Sequence, residues 1–302
     1  MRVILLGYQG RPGVLEEAER LRPLIAEYAE IVTSDFTGHK DMSNVDADLA
    51  IVFGGDGSIL RAAHQMRENQ LPIIAVNLGT LGFLADLQPH ELPCLLERLD
   101  IENLPIIKHL MFRCRIFRGE HVVADRIGLN EIAVQTGPPF AIMDVDLYID
   151  GELVTTYSCD GLIIGTPVGS TAHSLSAGGP ILRKDLQAFV ISPISPHTLS
   201  NRPVIDSADR IYGIVVSRPS PGTSVVLDGT VIAQLEQGDR IRVEKAKAEF
   251  KLVSAPGHSY YRTLREKLGW NGRLQYVDRV YNSRDEQEKP DNDAIVDPDY
   301  PM

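Results

Sequence analysis

The chain contains the stretch Leu49-Ala50-Ile51-Val52-Phe53-Gly54-Gly55-Asp56-Gly57-Ser58. Its first five residues are continuously apolar, which is typical of a buried strand. The three glycines around Asp56 then let the backbone turn sharply and approach a ligand closely. The residues after Ser58 predict a helix, whose first backbone N–H groups can receive phosphate oxygens. The order of strand, glycine-rich turn and helix indicates an α/β unit.

The same alternation continues on both sides of this stretch. Further strands are predicted at three short apolar runs, 3–7, 31–33 and 73–76. Further helices are predicted at 15–29, where apolar residues recur at helical spacing, and at about 90–99. Apolar strands that alternate with helices predict a parallel sheet covered on both faces. We therefore expect residues 1–107 to form a Rossmann-like α/β domain.

From about residue 108 the pattern changes to a period of two, as in Val145, Leu147 and Ile149. Strands are predicted at 111–117, 145–149, 153–157, 210–217, 223–227, 231–235, 239–243 and 249–253. Helical patterns interrupt them at 174–188 and 259–268. The sequence thus predicts a second, β-rich domain over 108–283, whose segment 260–283 packs back on the first domain.

Composition restricts the classes of function. Residues 284–302 carry seven acidic and two basic side chains, and the other 283 residues keep a net charge of −6. An acidic chain of this kind has no basic surface typical of nucleic-acid binding. The tail 284–302 is predicted to be disordered. No apolar run is long enough for a membrane helix. Three scattered cysteines, Cys94, Cys114 and Cys159, favour a reducing compartment, so a cytoplasmic location is expected.

Asp56 is the clearest candidate for chemistry. Held among backbone donors, it could take a proton from an attacking hydroxyl or bind a metal ion. The alternative is a structural one, a tight turn in which Asp56 caps the helix. Arg61, one turn into the helix, could reach a phosphate or be solvated. The chain has no Walker A sequence, so phosphoryl transfer here would not use P-loop chemistry.

A second candidate is the segment 160–180, where a short strand leads into a loop of Gly, Ser, Thr and Pro. Such a loop offers backbone amides and hydroxyls to a polar or phosphorylated ligand. Weaker signals are Asn130-Glu131 and Phe83, which taken alone indicate a turn and a core residue. Leu227-Asp228-Gly229 alone indicates a hairpin turn. With no second ligand at metal spacing, His173 and His197 are interpreted as hydrogen-bonding residues, and no metal site is predicted from protein ligands alone.

Together these motifs resemble the NAD kinase family, from about residue 3 to about 275. Gly54–Gly57 resembles its first motif, Asn130-Glu131 its second and 160–180 its long third motif, while 196–203 and 227–229 are similar to later segments. The first motif is shared with phosphofructokinases and with diacylglycerol and sphingosine kinases. The third is much more specific.

The resemblance implies the phosphorylation of the adenosine 2′-hydroxyl of NAD to give NADP (EC 2.7.1.23). It implies ATP or inorganic polyphosphate as donor, a divalent metal ion such as Mg²⁺, and a homo-oligomer (dimer or tetramer) whose sites can borrow residues from a neighbouring subunit. Asp56 would be the general base, and the other implied NAD-binding residues are Gly57, Arg61, Phe83, Asn130, Glu131, Asp160, Thr171, Ala172, His173, Ser174, Leu175 and Ser176. Phe83 would flank adenine, and Asp160 would engage the nicotinamide portion.

The chain departs from the family pattern at four positions. Val168 replaces a usual Thr or Ser, His173 a usual Tyr, Thr230 a usual Gln, and Ser158 an Arg found in many members. None is the proposed base, so these changes bear on dinucleotide recognition more than on the reaction. Two alternatives stay open, a lipid kinase of the diacylglycerol or sphingosine type and a non-catalytic NADP-binding sensor.

Overall fold

The structure, a computed structural model, describes residues 1–79, 82–85, 87–101, 103–198, 201–254 and 260–269. The predicted disordered tail at 284–302 and most of the predicted segment 260–283 lie outside these residues. Along the described part no helix is both long and apolar enough to cross a membrane.

The first hundred residues alternate strands and helices as predicted. The strands are β1 (Arg2–Gly7), β2 (Glu30–Asp35), β3 (Leu49–Phe53) and β4 (Pro72–Val76), and the helices are α1 (Val14–Tyr28), α2 (Asp56–Met66) and α3 (Leu92–Arg98). The strands pair in parallel in the order β2-β1-β3-β4. Every residue of β3 is buried because apolar clusters cover both faces of this sheet, which explains its continuous apolar run.

The second half is mostly antiparallel. Its strands are β5 (Ile106–Arg118), β6 (His121–Gly128), β7 (Glu131–Gln135), β8 (Met143–Ile149), β9 (Glu152–Cys159), β10 (Gly161–Gly165), β11 (Ala188–Ile194), β12 (Val204–Ser207), β13 (Tyr212–Val216), β14 (Ser224–Leu227), β15 (Thr230–Gln234) and β16 (Arg240–Val253). Its helices are α4 (His173–Ser176) and α5 (Tyr260–Leu268). This confirms the predicted α/β half followed by a β-rich half.

Two sheets are built from these strands. The larger sheet has ten strands and continues from β4 into β16, where Lys251 and Leu252 pair in parallel with Pro72 and Ile73. The smaller sheet has six antiparallel strands in the order β12-β11-β10-β7-β14-β15. An apolar cluster that includes Phe112 from one sheet and Leu162 from the other packs the two sheets face to face. The domain boundary near residue 107 stays a prediction.

Three details of the predicted elements are wrong. Residues 239–243 and 249–253 belong to one long strand, β16, whose pairing with β5 is irregular between Lys245 and Glu249. The helical pattern over 174–188 gives only the four-residue α4, because Gly178, Gly179 and Pro180 follow it and cannot extend a helix. Strands β6, β7, β11 and β12 were not predicted.

Leu162 tests the packing of the two sheets. Its side chain is fully buried on β10, in the middle of the six-stranded sheet. Leu162→Ala should lower the free energy of unfolding by about 2–5 kcal/mol, because it removes buried methyl groups and leaves a cavity. Urea unfolding measures this, with Val122→Ala (51% exposed) as the control expected to stay within about 0.5 kcal/mol of wild type. Equal losses in the two variants would contradict the packing described here.

Candidate functional site

Asp56 begins α2, directly after the glycines that end β3. Its carboxylate accepts three backbone N–H groups from one loop, from Phe83 at 2.8 Å, Leu84 at 2.9 Å and Ala85 at 3.1 Å. A carboxylate has about four acceptor positions, so these bonds fix its orientation and leave one position open. The side chain is half-buried. The structure therefore positions Asp56 through the loop at 82–85, beyond simple helix capping.

This loop depends on a glycine and on a lysine. A Cβ at Gly82 would lie 2.3 Å from Oδ1 of Asp56, so only glycine allows the close approach. The carbonyl oxygen of Phe83 accepts a hydrogen bond from Nζ of Lys184. Lys184 also lies over the ring of Tyr260 on α5, 5.4 Å from its centroid. The start of the predicted segment 260–283 also contacts this loop directly, since Nζ of Lys267 lies 5.7 Å from the centroid of the Phe83 ring.

A second buried carboxylate, Asp228, organises the segment Leu129–Glu131. Asp228 and Gly229 form the two-residue turn between β14 and β15, with φ of 46° and 80°. Asp-Gly is the pair that favours such a type I′ turn. The fully buried carboxylate accepts the backbone N–H groups of Leu129 at 2.8 Å, Asn130 at 2.8 Å and Glu131 at 3.0 Å. It also lies 2.8 Å from Nε2 of His64 on α2.

The turn after β10 holds the same segment from the other side. Thr166 donates its backbone N–H to the carbonyl of Asn130 at 2.8 Å and its hydroxyl to the carbonyl of Leu129 at 2.5 Å. A Cβ at Gly169 would lie 2.0 Å from the Asn130 carbonyl oxygen, so this position requires glycine. The Asn130-Glu131 pair is therefore fixed between two loops, which a solvated turn would not need.

Glu131 is buried, with 8% of its surface exposed, and its Oε2 has no hydrogen-bond partner among the described residues. Burial raises the pKa of the Glu131 carboxyl to about 8, and the nearby charge of Asp228 adds to the effect. The backbone N–H of His173 donates to Glu131 and opposes part of this shift. Glu131 is consequently a protonated carboxyl near neutral pH, able to donate as well as accept a hydrogen bond.

The segment Thr171–Ser176 follows the Gly169–Thr171 turn and lies beside Glu131. Ser174 is buried, and its hydroxyl lies 2.9 Å from the hydroxyl of Ser192. The ring of His173 lies within 3.5 Å of the Gln135 side chain. Val168 is only 3% exposed and belongs to the apolar cluster that also contains Ile59 of α2.

A cavity of about 540 Å³ opens beside the amino-terminal end of α2. Its lining includes Gly57, Arg61, His64 and Asp228, together with Arg11 from the loop after β1. Arg61 lies over the ring of Tyr8, 4.2 Å from its centroid. A helix N-terminus beside two arginines is suited to a polyanion.

The structure brings most of the predicted residues to one region and separates one. Asp56, Gly57, Arg61 and Phe83 belong to α2 and its contacting loop, and His64 with Asp228 joins α2 to Asn130 and Glu131. Residues 171–176 adjoin Glu131. Asp160 lies at the opposite end of β10, since Gly165 pairs with Glu131 and Gly161 with Gln135. Five residue steps along the strand separate Asp160 from Gly165, the partner of Glu131, a distance of about 17 Å.

Three residues of this region were missed from the sequence: Arg11, His64 and Asp228. Asp228-Gly229 was interpreted as a turn within a segment similar to the family, but no role was given to the Asp228 side chain. The signal for that role is an acidic residue placed between two β-strands of an apolar sheet. Arg11 and His64 belong to no motif. The described residues contain no group of three or more His, Cys, Asp and Glu side chains placed to hold a metal ion.

Comparison with known proteins covers both halves of the chain. The family model for the ATP-NAD kinase N-terminal domain matches residues 19–101, and the model for the ATP-NAD kinase C-terminal domain matches residues 129–255. An NAD kinase from Rhodopirellula baltica is 52% identical over 273 residues, 90% of this chain and 88% of that protein. An NAD kinase from Geotalea daltonii is 37% identical over 268 residues, 86% of this chain and 94% of that protein.

Solved structures share the fold. An NAD kinase from Archaeoglobus fulgidus in complex with ATP has a TM-score of 0.70 and 26% identity, covering 89% of this chain and 99% of that one. A yeast NADH kinase complexed with NADH has a TM-score of 0.80 at 24% identity, covering 92% of this chain and 89% of that one. At that identity the yeast structure supports the fold alone.

The raised pKa of Glu131 predicts a pH dependence of stability. Between the ordinary pKa of 4.5 and about 8 the folded chain holds a proton that the unfolded chain releases, so wild-type stability falls as pH rises. Gln has no such proton, so the free energy of unfolding of Glu131→Gln should fall less steeply with pH than that of wild type, by up to about 1.4 kcal/mol per pH unit. Urea unfolding at pH 5, 6, 7 and 8 measures the effect, with the exposed Glu120→Gln as control. Parallel curves for wild type and Glu131→Gln would contradict the buried, protonated carboxyl.

Proposed function

The chain belongs to the NAD kinase family, so its reaction is the phosphorylation of NAD to NADP, and we propose that α2 and the segment Leu129–Glu131 form the two sides of its active site. The observation that carries this proposal is the pair of fixed carboxylate contacts that bring these elements together. Asp56 is held by the loop at 82–85, and Asp228 holds the backbone of Asn130 and Glu131.

The phosphoryl donor binds, on this proposal, in the cavity beside α2. Its negative phosphates meet the helix N-terminus at Gly57 and the guanidinium groups of Arg11 and Arg61. The related protein from Archaeoglobus fulgidus, solved with ATP, supports ATP as a donor. Inorganic polyphosphate offers the same charged groups and is kept as the second candidate. Because the chain is acidic overall, such local cations matter more than its general field.

The dinucleotide binds opposite, with its adenosine between Phe83 and the segment 171–176. Asn130 and Glu131 hold ribose hydroxyls there, which fits a protonated Glu131 carboxyl that can both donate and accept. His173, in place of the usual Tyr, keeps a flat ring with a polar edge at this position. The buried Val168 leaves this part of the site intact.

Asp56 is proposed as the general base. A ribose hydroxyl is a weak nucleophile, so a carboxylate within hydrogen-bond reach must take its proton as the new O–P bond forms. The bond from the transferred phosphorus to the leaving phosphate breaks, and ADP or the shortened polyphosphate departs with the electron pair. The three N–H bonds from residues 83–85 orient the carboxylate for this role, and its remaining acceptor position faces the substrate.

A divalent ion such as Mg²⁺ fits this set of donors. Mg²⁺ is usually held by substrate phosphates with only one or two protein carboxylates, so the lack of a three-ligand cluster among the described residues is compatible with it. The donor's phosphate oxygens, bound by Arg11, Arg61 and the N-terminus of α2, would hold it, because the one open acceptor position of Asp56 is assigned to the ribose hydroxyl. When bound, the ion would neutralise charge on the phosphate oxygens.

A homo-oligomer, dimer or tetramer, is proposed as the active form. Asp160 lies about a strand's length from Glu131 within one chain, so it is assigned to the nicotinamide portion bound by a neighbouring subunit. Exposed apolar residues on the edge strands β9 and β12, namely Leu153, Val154, Val204 and Ile205, support a contact surface between copies.

Cys94, Cys114 and Cys159 are all free thiols, which fits the predicted cytoplasmic location.

The alternatives are distinguished by turnover. A lipid kinase would share the Gly-Gly-Asp-Gly turn and the order of an α/β half and a β-rich half, but not the 160–180 motif, whereas the NAD kinase family models match both halves of this chain. A non-catalytic sensor would bind NAD or NADP without consuming a donor. NADP formation by the purified chain with Mg²⁺ and either ATP or polyphosphate separates the sensor from the enzyme and identifies the donor.

Asp56→Asn tests the base. The amide cannot take up the hydroxyl proton, so kcat should fall at least about 1,000-fold while the Kd for NAD changes little. NADP formation and calorimetric titration with NAD measure the two quantities. Asp46→Asn, a fully solvated acid paired only with Arg2, is the control and should keep wild-type kcat. Activity close to wild type in Asp56→Asn would remove this residue from the base role.

A further inference from the structure

The proposed reaction needs donor and acceptor in register, because they lie on different parts of the fold. The donor phosphates are assigned to α2, and the acceptor ribose is assigned to Asn130 and Glu131, far away in sequence. A misplacement of about 1 Å between reacting groups can slow such a reaction about 100-fold. Something in the chain must therefore fix α2 against this segment, and this inference rests on the proposed function.

Apolar contacts alone do not fix that alignment. Ile59 of α2 and Leu129 belong to the same buried cluster, which holds the two elements together. The hydrophobic effect that drives such packing is non-directional, so burial alone does not select one orientation of the helix. A hydrogen bond to a buried, immobile acceptor is directional and resists them.

His64 supplies that directional contact. It lies eight residues after Asp56, about 12 Å further along α2, on a side of the helix that reaches the β14–β15 turn. Its Nε2 is 2.8 Å from Oδ2 of Asp228, which simultaneously accepts the N–H of Leu129 at 2.8 Å. The other oxygen of Asp228 accepts the N–H groups of Asn130 and Glu131. One carboxylate thus connects α2 directly to the backbone of the acceptor segment.

The Asp228 end of this link is rigid. The carboxylate of Asp228 is fully buried, and the backbone N–H of Asp228 donates to the carbonyl of Glu131 at 3.0 Å. His64 is the more exposed partner, since 30% of its side chain is exposed, and it lines the donor cavity. A change at His64 therefore alters the position of α2 without dismantling the three N–H bonds.

We propose that His64 is a positioning residue for phosphoryl transfer, which sets the register of α2 against Asn130 and Glu131 through the buried carboxylate of Asp228. It touches neither proton nor phosphorus in this role. Its loss misaligns donor and acceptor, so kcat falls while each substrate still binds to its own side of the site. If His64 instead contacted the donor directly, its substitution would raise the KM for the donor.

Two amide variants separate these roles. The side-chain nitrogen of Gln falls where Nε2 of His lies, whereas Asn is too short to reach Asp228. His64→Gln should keep kcat within about threefold of wild type, and His64→Asn should lower kcat about 10- to 100-fold. The KM values for NAD and for ATP should stay within about threefold in both. His90→Asn, at an exposed position outside the site, is the matched control and should keep wild-type kcat.

A double-mutant cycle tests whether His64 acts through Asp228. Asp228→Asn disturbs the acceptor segment directly, so adding His64→Asn to it should lower kcat by no more than about a further twofold. Additive losses, an unchanged kcat in folded His64→Asn, or a raised KM for ATP in His64→Gln would each overturn the proposal. If His64→Asn does not fold, as judged by its thermal melting, His64→Gln still decides between positioning and donor contact. Wild-type turnover together with loss of activity in Asp56→Asn shows separately that the proposed function holds.

Discussion

The architecture of the site depends on one buried carboxylate. Asp228 accepts three consecutive backbone N–H groups, from Leu129 to Glu131, and a fourth contact from His64. A buried charge of this kind is tolerated only when its acceptor positions are filled by well-placed donors. Two of those donors precede β7, one is its first residue and the fourth lies on α2. The hydrogen bonds that satisfy the charge therefore also join the two halves of the molecule at the place where substrates are proposed to meet.

The carboxylates of Asp228 and Asp56 differ in role because their surroundings differ. Asp228 has its acceptor positions occupied and holds backbone N–H groups, whereas Asp56 keeps one open position and directly precedes Gly57, which lines the proposed donor cavity. Glu131 is a third acid, whose pKa is raised to about 8 by burial next to Asp228, so it acts as a neutral hydrogen-bonding group. Environment rather than residue type thus separates the proposed base, a structural anchor and a neutral carboxyl proposed to bind ribose within one region.

Much of this could be predicted from the sequence, because the deciding patterns are local. The apolar run of β3, the glycines before Asp56 and the Asp-Gly turn each specify their own backbone geometry. The short α4 and the single long β16 were not predicted. Two glycines end α4 although the helical spacing of apolar residues continues, and β16 continues through the irregular pairing between Lys245 and Glu249. The roles of His64, Arg11 and Asp228 were not visible, because they arise from contacts between residues up to 164 positions apart.

The central claim is that the acceptor ribose lies between Asp56 and the Leu129–Glu131 segment while the donor lies beside α2. The most direct measurement is a crystal structure with NAD and a non-hydrolysable ATP analogue bound together with Mg²⁺. We predict the adenosine 2′-oxygen within about 2.6–3.2 Å of an Asp56 carboxylate oxygen, with the terminal phosphate of the analogue next to it. An adenosine ribose bound away from Asp56, or a donor outside the cavity lined by Arg11 and Arg61, would contradict the account.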